Sequence, residues 1–127
     1  MFEKLELIRM AQALASHSGA RMGVIARNVA NADTPGYKAQ DLPEFAKFFA
    51  ADDGAMRATR AGHLSASSGA ATLVPEGAPG RESPNGNTVS LEGEMVKSVE
   101  ARQSHEMALA IYRATSDVIR ASLGRSR

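Results

Sequence analysis

The chain has 127 residues, a net charge of +1, no cysteine, no tryptophan and an aromatic content of only 5%. This length suits one domain, and the lack of cysteine excludes a disulfide framework, a thiolate nucleophile and a zinc site with cysteine ligands. Lysine and arginine are spread evenly along the chain, which argues against nucleic-acid binding. With so few large apolar side chains, we expect a monomer that is only marginally stable alone.

The first predicted element is a long helix from about Phe2 to Ala30, in which apolar and small residues recur every three or four positions. This stripe consists of Ile8, Ala11, Ala15, Ser18, Met22, Ile25 and Val29. A second row has almost no side-chain bulk and would let another backbone approach closely; it consists of Ala11, Ala15, Gly19 and Gly23. Since a glycine inside a helix costs about 1 kcal/mol relative to alanine, the alternative is a kink or a break near Ser18-Gly19.

A tight turn is predicted directly after this helix, at Thr34-Pro35-Gly36-Tyr37. Proline fixes its own φ and disfavours helix in the residue before it, while glycine at the third position accepts a positive φ, so the pattern indicates a type II turn. We expect Asn31 to end the helix in the left-handed conformation, which asparagine tolerates better than other residues with a side chain.

The run A-R-N-V-A-N-A-D-T-P-G-Y-K-A, residues 26–39, resembles the N-terminal signature of the bacterial flagellar axial proteins, the family of rod, hook and hook-associated subunits. The resemblance implies a structural subunit that leaves the cell through the flagellar type III export channel without a cleaved signal peptide. The sequence itself predicts no secretory signal, because its first residues are acidic and lack an apolar region. It also predicts no membrane span, since no run of about 18 apolar residues occurs.

A short amphipathic helix is predicted next, with Asp41 as its cap and Pro43 in its first turn. Its phenylalanines, Phe45, Phe48 and Phe49, fall at helical spacing, and we expect them to pack on the long helices.

Residues 51–88 contain turn signals at close intervals, which predict a loop-rich insert that is largely disordered before assembly. An extended piece is expected around Thr72-Leu73-Val74. The motif from Thr59 to Leu64 resembles an element of small proximal-rod proteins.

The helical pattern returns at Thr88 or Ser90, with Ser90 as the expected N-cap and Gly124 as the end. Its apolar and small residues follow an eleven-residue repeat rather than a heptad: Val96, Val99, Gln103, Met107, Ala110, Ala114, Val118 and Ala121. The predicted fold class is therefore mostly α, with long N- and C-terminal helices packed as a coiled pair and a loop-rich middle segment. We expect one structural unit made of segments 1–42, 43–88 and 89–127.

No candidate for catalysis meets its geometric requirements. The zinc-protease motif that begins at His105 lacks its second histidine, because Leu109 stands there. His17 lies between two serines, but neighbouring helical side chains point about 100° apart, and His17, His63 and His105 lack metal-ligand spacing. We therefore expect no enzyme activity, no cofactor and no metal site.

Motifs in the second long helix resemble those of proximal-rod proteins, among them G-N-T-V at 86–89, L-E-G-E-M at 91–95 and A-L-A-I-Y-R at 108–113. Hook and distal-rod members carry large additional domains, for which this length leaves no room. The resemblance thus implies a subunit of the basal-body rod that spans the periplasm and transmits torque. The implied partners are further copies of the chain, the rod proteins FlgC and FlgF, the rod-base protein FliE, the MS ring protein FliF and the export apparatus, with no nucleic acid and no small-molecule substrate.

The residues expected to mediate subunit packing lie on the two long helices and in the turn: Ile8, Ala15, Gly19, Met22, Ile25, Asn28, Val29, Asn31, Thr34, Pro35, Gly36, Tyr37, Val96, Val99, Met107, Ala110, Ala114 and Val118. The turn residues have a purely structural reading, a capped helix and a tight turn, and a functional one, in which the turn sets how the N-terminal segment projects into a neighbour. Two rival functions stay open at this point. A soluble helical adaptor or export chaperone predicts a stable monomer or discrete dimer, and a small hydrolase requires a preformed pocket.

Overall fold

The structure of the chain, a computed structural model, describes residues 2–52, 74–78 and 80–124. Two long helices pack against each other, and a short helix and a two-residue strand pair lie between them in sequence. This confirms the predicted fold class. The elements are α1 (Phe2–Ala30), β1 (Gln40–Asp41), α2 (Phe45–Asp52), β2 (Glu76–Gly77) and α3 (Leu91–Leu123).

Much of the predicted insert lies outside the described residues, including the motif from Thr59 to Leu64 and the proposed extended residues Thr72 and Leu73. The strand that the structure does describe, β2, begins at Glu76 and pairs antiparallel with β1. Ala78 extends this pairing, because its N–H donates to the carbonyl of Ala39 at 2.9 Å. None of the helices in the described ranges is long and apolar enough to cross a membrane.

Helix α1 is continuous from Phe2 to Ala30, so the break considered near Ser18-Gly19 does not occur. Its predicted stripe largely faces the interior: Ala11, Ser18 and Ile25 are buried, whereas Val29 at the end of the stripe is 40% exposed. The row of small residues behaves differently. Nothing lies within 4 Å of the position that a Cβ would take at Gly19 or at Gly23.

Helix α3 packs on α1 through a heptad and not through the predicted eleven-residue row. Its buried residues are spaced seven apart, at Glu94, Ala101, Ala108 and Thr115, which is the spacing of a coiled-pair seam. The eleven-residue row, here called the α3 ridge, faces away from α1. All of its members are exposed: Val96, Val99, Gln103, Met107, Ala110, Ala114, Val118 and Ala121.

On α3 the buried residues of the seam with α1 are small or polar side chains. Hydrogen bonds cross the seam directly: the Nδ1–H of His105 donates to the carbonyl oxygen of Ala15 at 3.1 Å, and the side-chain amide of Asn28 donates to Glu94. A carbonyl cannot donate, so the contact with Ala15 fixes the proton of His105 on Nδ1. The seam therefore has its register set by polar contacts as well as by packing.

Only some of the helix ends agree with the caps predicted from the sequence. Ser90 caps α3 as predicted, since its Oγ accepts from the N–H of Gly93 at 3.3 Å, and Gly124 ends the helix. The left-handed cap at Asn31 is wrong, because no described residue other than glycine has a positive φ. Instead the side-chain amide of Asn31 donates to the carbonyl of Arg27 at 2.8 Å, which satisfies the helix end without backbone strain.

The predicted cap of α2 is also wrong, because Asp41 lies in β1 and α2 begins only at Phe45. An ion pair with Arg21 holds the Asp41 carboxylate elsewhere. The predicted packing of α2 is confirmed: the rings of Phe45 and Phe48 stand 5.7 and 5.6 Å from the imidazole of His17 on α1.

Candidate assembly site

Two tight turns face each other where α1 ends and α3 approaches. In the first, the N–H of Tyr37 donates to the carbonyl of Thr34 at 3.3 Å and Gly36 has a φ of 72°, which confirms the predicted type II turn. In the second, Gly86 has a φ of 79°. The N–H of Gly36 donates to the carbonyl of Asn85 at 3.0 Å, so the two turns are joined through their backbones.

Asn87 closes the end of α1 from a distant part of the chain. Its side-chain amide is 2% exposed and donates to the carbonyls of Asn31, Ala32 and Thr34 at 3.0, 2.8 and 2.9 Å. The carbonyls of Asn31 and Thr34 also accept from the backbone N–H groups of Thr34 and Tyr37, so the Asn87 amide adds a second donor to both and supplies a donor to Ala32. Its Oδ1 accepts from the N–H of Val89 at 2.7 Å, which ties the same side chain to the approach of α3.

Asn28 connects α1 to both neighbouring elements and is 0% exposed. Its Nδ2 donates to the carbonyl of Gln40 at 2.6 Å and to Oε2 of Glu94 at 3.0 Å. Its Oδ1 accepts from the N–H of Gln40 at 3.1 Å and from the hydroxyl of Tyr37 at 3.2 Å. The Asn28 side chain therefore bonds both backbone groups of Gln40, as a neighbouring strand would. It also binds Glu94 on α3.

A chain of charged groups continues from Glu94 across three elements. The Nζ of Lys97 lies 2.8 Å from Oε1 of Glu94 and 3.6 Å from Oδ2 of Asp41. Asp41 in turn accepts two hydrogen bonds from Arg21, at 2.9 and 3.1 Å. Glu100 completes the chain with an oxygen 4.0 Å from Arg21. Bidentate pairs of this kind are strong and directional, so they fix α1, β1 and α3 relative to one another.

The pKa of Asp41 is lowered by this arrangement. Burial of the carboxyl group pushes its pKa up, but the hydrogen bonds from Arg21 and from the N–H of Leu42, with the charges of Arg21 and Lys97, outweigh burial. The hydrogen bond to Asp41 correspondingly raises the pKa of Arg21. A carboxyl group with a lowered folded pKa stabilises the fold above its unfolded pKa, and that contribution is lost as the pH falls through the folded value.

We therefore expect Asp41 to make the free energy of unfolding fall as the pH is lowered below the carboxyl group's ordinary pKa, because its folded pKa is lowered. The Asp41→Asn variant should be less stable than the wild type at neutral pH and should lose this part of the acid sensitivity. Urea unfolding followed by circular dichroism over a series of pH values measures both curves. Two curves that stay parallel down to pH 2 would contradict the assignment.

Gly36→Ala should lower the free energy of unfolding by about 1 kcal/mol, because a side chain is strained at positive φ. No atom lies within 4 Å of the new Cβ, so this cost is conformational and not steric. Gly77→Ala is the matched control, since its surroundings are equally open but its φ is not positive. Equal destabilisation by the two substitutions in urea unfolding would argue against a strained turn.

The structure brings together only some of the predicted site residues. Asn28, Asn31, Thr34 and Tyr37 meet in the network around the turn, and Pro35 is exposed beside it. Sequence reasoning missed the partners that complete the network on the other side: Arg21, Asp41, Asn87, Glu94 and Lys97. Asn87 and Glu94 were visible only within the G-N-T-V and L-E-G-E-M motifs, and nothing in the local pattern marks either side chain as buried.

One side of the helix pair is covered by α2 and β1, and the opposite side carries two apolar cavities. The larger, about 600 Å³, lies beside Met22, Ile25, Val29, Met95 and Val99. The smaller, about 220 Å³, is lined by Ala11, Gln12, Ala15, Ala108, Leu109 and Tyr112. Their α1 residues continue one another at helical spacing along one face, so the two cavities lie on the same side of the helix pair.

The two described histidines both bond to backbone carbonyls. The Nε2–H of His17 donates to the carbonyl of Pro43 at 2.8 Å, and His105 bonds to Ala15 as described above. His63 lies outside the described residues. Within the described ranges no group of three or more histidine, aspartate or glutamate side chains is placed to hold a metal ion.

Comparison with known proteins bears on the segment that builds this network. Residues 11–38 match the family model described as flagella basal body rod protein. The chain is similar to that family over this segment. The segment covers most of α1 and the whole type II turn, including Asn28, Asn31 and Gly36. No curated protein matches the chain.

Proposed function

We propose that the chain is FlgB, a structural subunit of the proximal rod, the drive shaft that crosses the periplasm and transmits motor torque. The observation that carries this proposal is the family match over residues 11–38. That segment contains Asn28, whose side chain joins α1 to Glu94 on α3. The motifs of α3 support the finer assignment. The neighbouring proximal-rod protein FlgC is the alternative, since it shares the N-terminal signature.

The mechanism is assembly and not catalysis. Leu5 near the start of α1 and Leu123 at the end of α3 lie at the same end of the helix pair, and they are 56% and 70% exposed. Segments that fray during export become fully helical when the subunit adds to the rod, where burial against neighbours stabilises them. The network around Asn28 and Asn87 keeps the two helices in register while this happens.

The proposed neighbours are other copies of the chain, the rod proteins FlgC and FlgF, and the rod base formed by FliE and the MS ring protein FliF. The chain reaches this position through the flagellar export apparatus without a cleaved signal peptide. The exposed apolar residues of α3 are the proposed contacts, since a monomer in water gains nothing from keeping Val96, Val99 and Met107 60, 67 and 52% exposed.

Deletion of the coding sequence in the source bacterium tests the proposal. We expect cells without flagella, and isolated basal bodies that contain the membrane ring but no rod, both restored by the wild-type gene. Cross-linking of the restored chain to FliE would favour FlgB over FlgC. Complete rods in the deletion strain would contradict the proposal, and a discrete dimer in the cytoplasm would favour the adaptor.

A further inference from the structure

The dipeptide Asn85-Gly86 is the one place in the chain where an asparagine precedes a glycine. A backbone nitrogen can attack the side-chain amide of the asparagine before it, and glycine hinders this attack least because it has no Cβ. The other three asparagines, Asn28, Asn31 and Asn87, precede residues that have a side chain. Asn85 is exposed, so water reaches its amide. The second turn of the assembly site therefore contains a reactive amide.

The reaction open to this dipeptide is deamidation through a cyclic imide. The Gly86 nitrogen loses its proton and bonds to Cγ of Asn85, the Cγ–Nδ2 bond breaks, and the leaving nitrogen takes up a proton and departs as ammonia. Water then opens the ring at either of its carbonyl carbons. Opening at the former side-chain carbonyl gives aspartate, and opening at the former backbone carbonyl gives isoaspartate, whose main chain runs through Cγ. No oxidant, reductant or cofactor is required.

The folded turn holds the attacking nitrogen in a hydrogen bond. The N–H of Gly86 donates to the carbonyl of Ser83 at 2.8 Å, and the N–H of Ser83 donates to the carbonyl of Asn87 at 2.8 Å. Oδ1 of Asn85 accepts from the N–H of Asn87 at 3.0 Å, which holds the side chain as well. The imide has no N–H at Gly86, so the bond to Ser83 must break before the ring can close.

The opposing turn holds the same dipeptide from outside. The carbonyl of Asn85 accepts from the N–H of Gly36 at 3.0 Å, and the carbonyl of Gly86 accepts from Nζ of Lys38 at 3.0 Å. The two turns are closely packed, because a Cβ on Gly86 would stand 3.4 Å from Cα of Gly36. A peptide group that is bonded on both sides rotates only when its surroundings open locally.

We propose that Asn85-Gly86 is a site of spontaneous deamidation, closed while the two turns are joined and open when they part. A reaction that requires an open state proceeds in proportion to the population of that state. The extent of deamidation therefore records how long a chain has been unfolded. The reaction needs no partner, so the proposal is independent of the rod function.

The two products differ in their effect on the turn. Aspartate keeps the backbone and places an oxygen where Oδ1 of Asn85 stands, so the bond from the Asn87 N–H is retained. Isoaspartate adds a methylene group to the main chain and turns the carbonyl that accepts from Gly36 into a free carboxylate. The Asn87 amide is then displaced from the carbonyls at the end of α1. The isoaspartate form should therefore be the less stable one.

Timed incubation of the full chain in buffer and in urea, at the same mildly alkaline pH, tests the site by peptide mass spectrometry. We expect Asn85 to deamidate at least about tenfold faster in urea, where the turns have parted. Asn28, Asn31 and Asn87 are internal references and should react more slowly than Asn85 in urea. Equal rates at Asn85 in the two solutions would overturn the protection, and equal rates at all four asparagines in urea would overturn the site.

Asn87→Ala opens the turns without denaturant. It leaves Asn85-Gly86 intact but removes the bonds to the end of α1, so deamidation in buffer should be at least about threefold faster than in the wild type. In urea the two chains should react equally. Gly77→Ala is the matched control and should keep the wild-type rate, since nothing lies within 4 Å of its new Cβ. A wild-type rate for Asn87→Ala in buffer would overturn the protective role of the joined turns.

Urea unfolding of the separated products tests the structural consequence. The Asn85→Asp variant should unfold at close to the wild-type urea concentration, and the isoaspartate form, made by incubation in urea and purified, at a lower one. If both forms unfolded at the same concentration, the inference that the joined turns require the original backbone would be overturned.

Discussion

Asn28→Asp is expected to lower the free energy of unfolding by about 3–5 kcal/mol, the largest effect of any single substitution considered. The new carboxylate would place a negative oxygen where Nδ2 now stands, 3.0 Å from Oε2 of the buried Glu94 and 2.6 Å from the carbonyl of Gln40. Both donated hydrogen bonds would be replaced by repulsion between acceptors. Because the side chain is 0% exposed, water cannot screen that repulsion.

The pH dependence of this variant identifies the cause. Its deficit against the wild type should be largest at neutral pH and should shrink in acid, where one of the two carboxylates binds a proton. Glu94→Gln in the same chain should recover part of the loss, since the amide can donate where the carboxylate could not. A deficit that is independent of pH and unchanged by Glu94→Gln in urea unfolding would show that charge repulsion is not responsible.

Asn87→Ala should lower the free energy of unfolding by about 2–3 kcal/mol, because it removes the donor shared by three carbonyls at the end of α1. Asn31 and Ala32 are only partly exposed, so water replaces the lost donor incompletely. The loss should appear in urea unfolding and as faster amide exchange in the last turn of α1.

Asn85→Ala is the matched control for this substitution. Asn85 is exposed, and its side chain accepts a single bond from the N–H of Asn87 at 3.0 Å. Its loss should cost less than about 1 kcal/mol. If the two alanine variants were equally unstable, the segment as a whole and not the buried amide would be holding α1.

The long helices and the type II turn could be predicted because their signals are local. Helical spacing marks α1 and α3, and proline followed by glycine at Gly36 marks the turn. The N-cap at Ser90 was predictable for the same reason. These features depend on residues within a few positions of each other, and the structure confirms them.

The inner face of α3 was not predictable from apolar spacing, because its buried members are small or polar. Glu94 is buried only because Asn28 and Lys97 satisfy its carboxylate, and those partners belong to the folded structure. The more apolar ridge therefore dominated the pattern, although it faces away from α1. Hydrophobicity alone does not tell which face of a helix packs within the chain and which face is exposed.

Two local predictions failed because distant residues compete for the same groups. Asp41 has the side chain of a helix cap, but Arg21 on α1 binds it with two hydrogen bonds. Asn31 tolerates a left-handed conformation, but its amide reaches Arg27 and Asn87 satisfies its carbonyl, so no such conformation is needed. Most of the candidate site depends on these contacts between segments that lie far apart in sequence.

Hydrogen exchange of the purified chain, as monomer and as assembled particle, tests the central claim that its helices are completed by neighbouring subunits. Amides near Asn28 and Asn87 should be protected in both samples. Amides in the first ten residues of α1 and in the C-terminal part of α3 should gain protection only in the particle. Identical exchange in the two samples, or a fully protected monomer that forms no particles at any concentration, would contradict it.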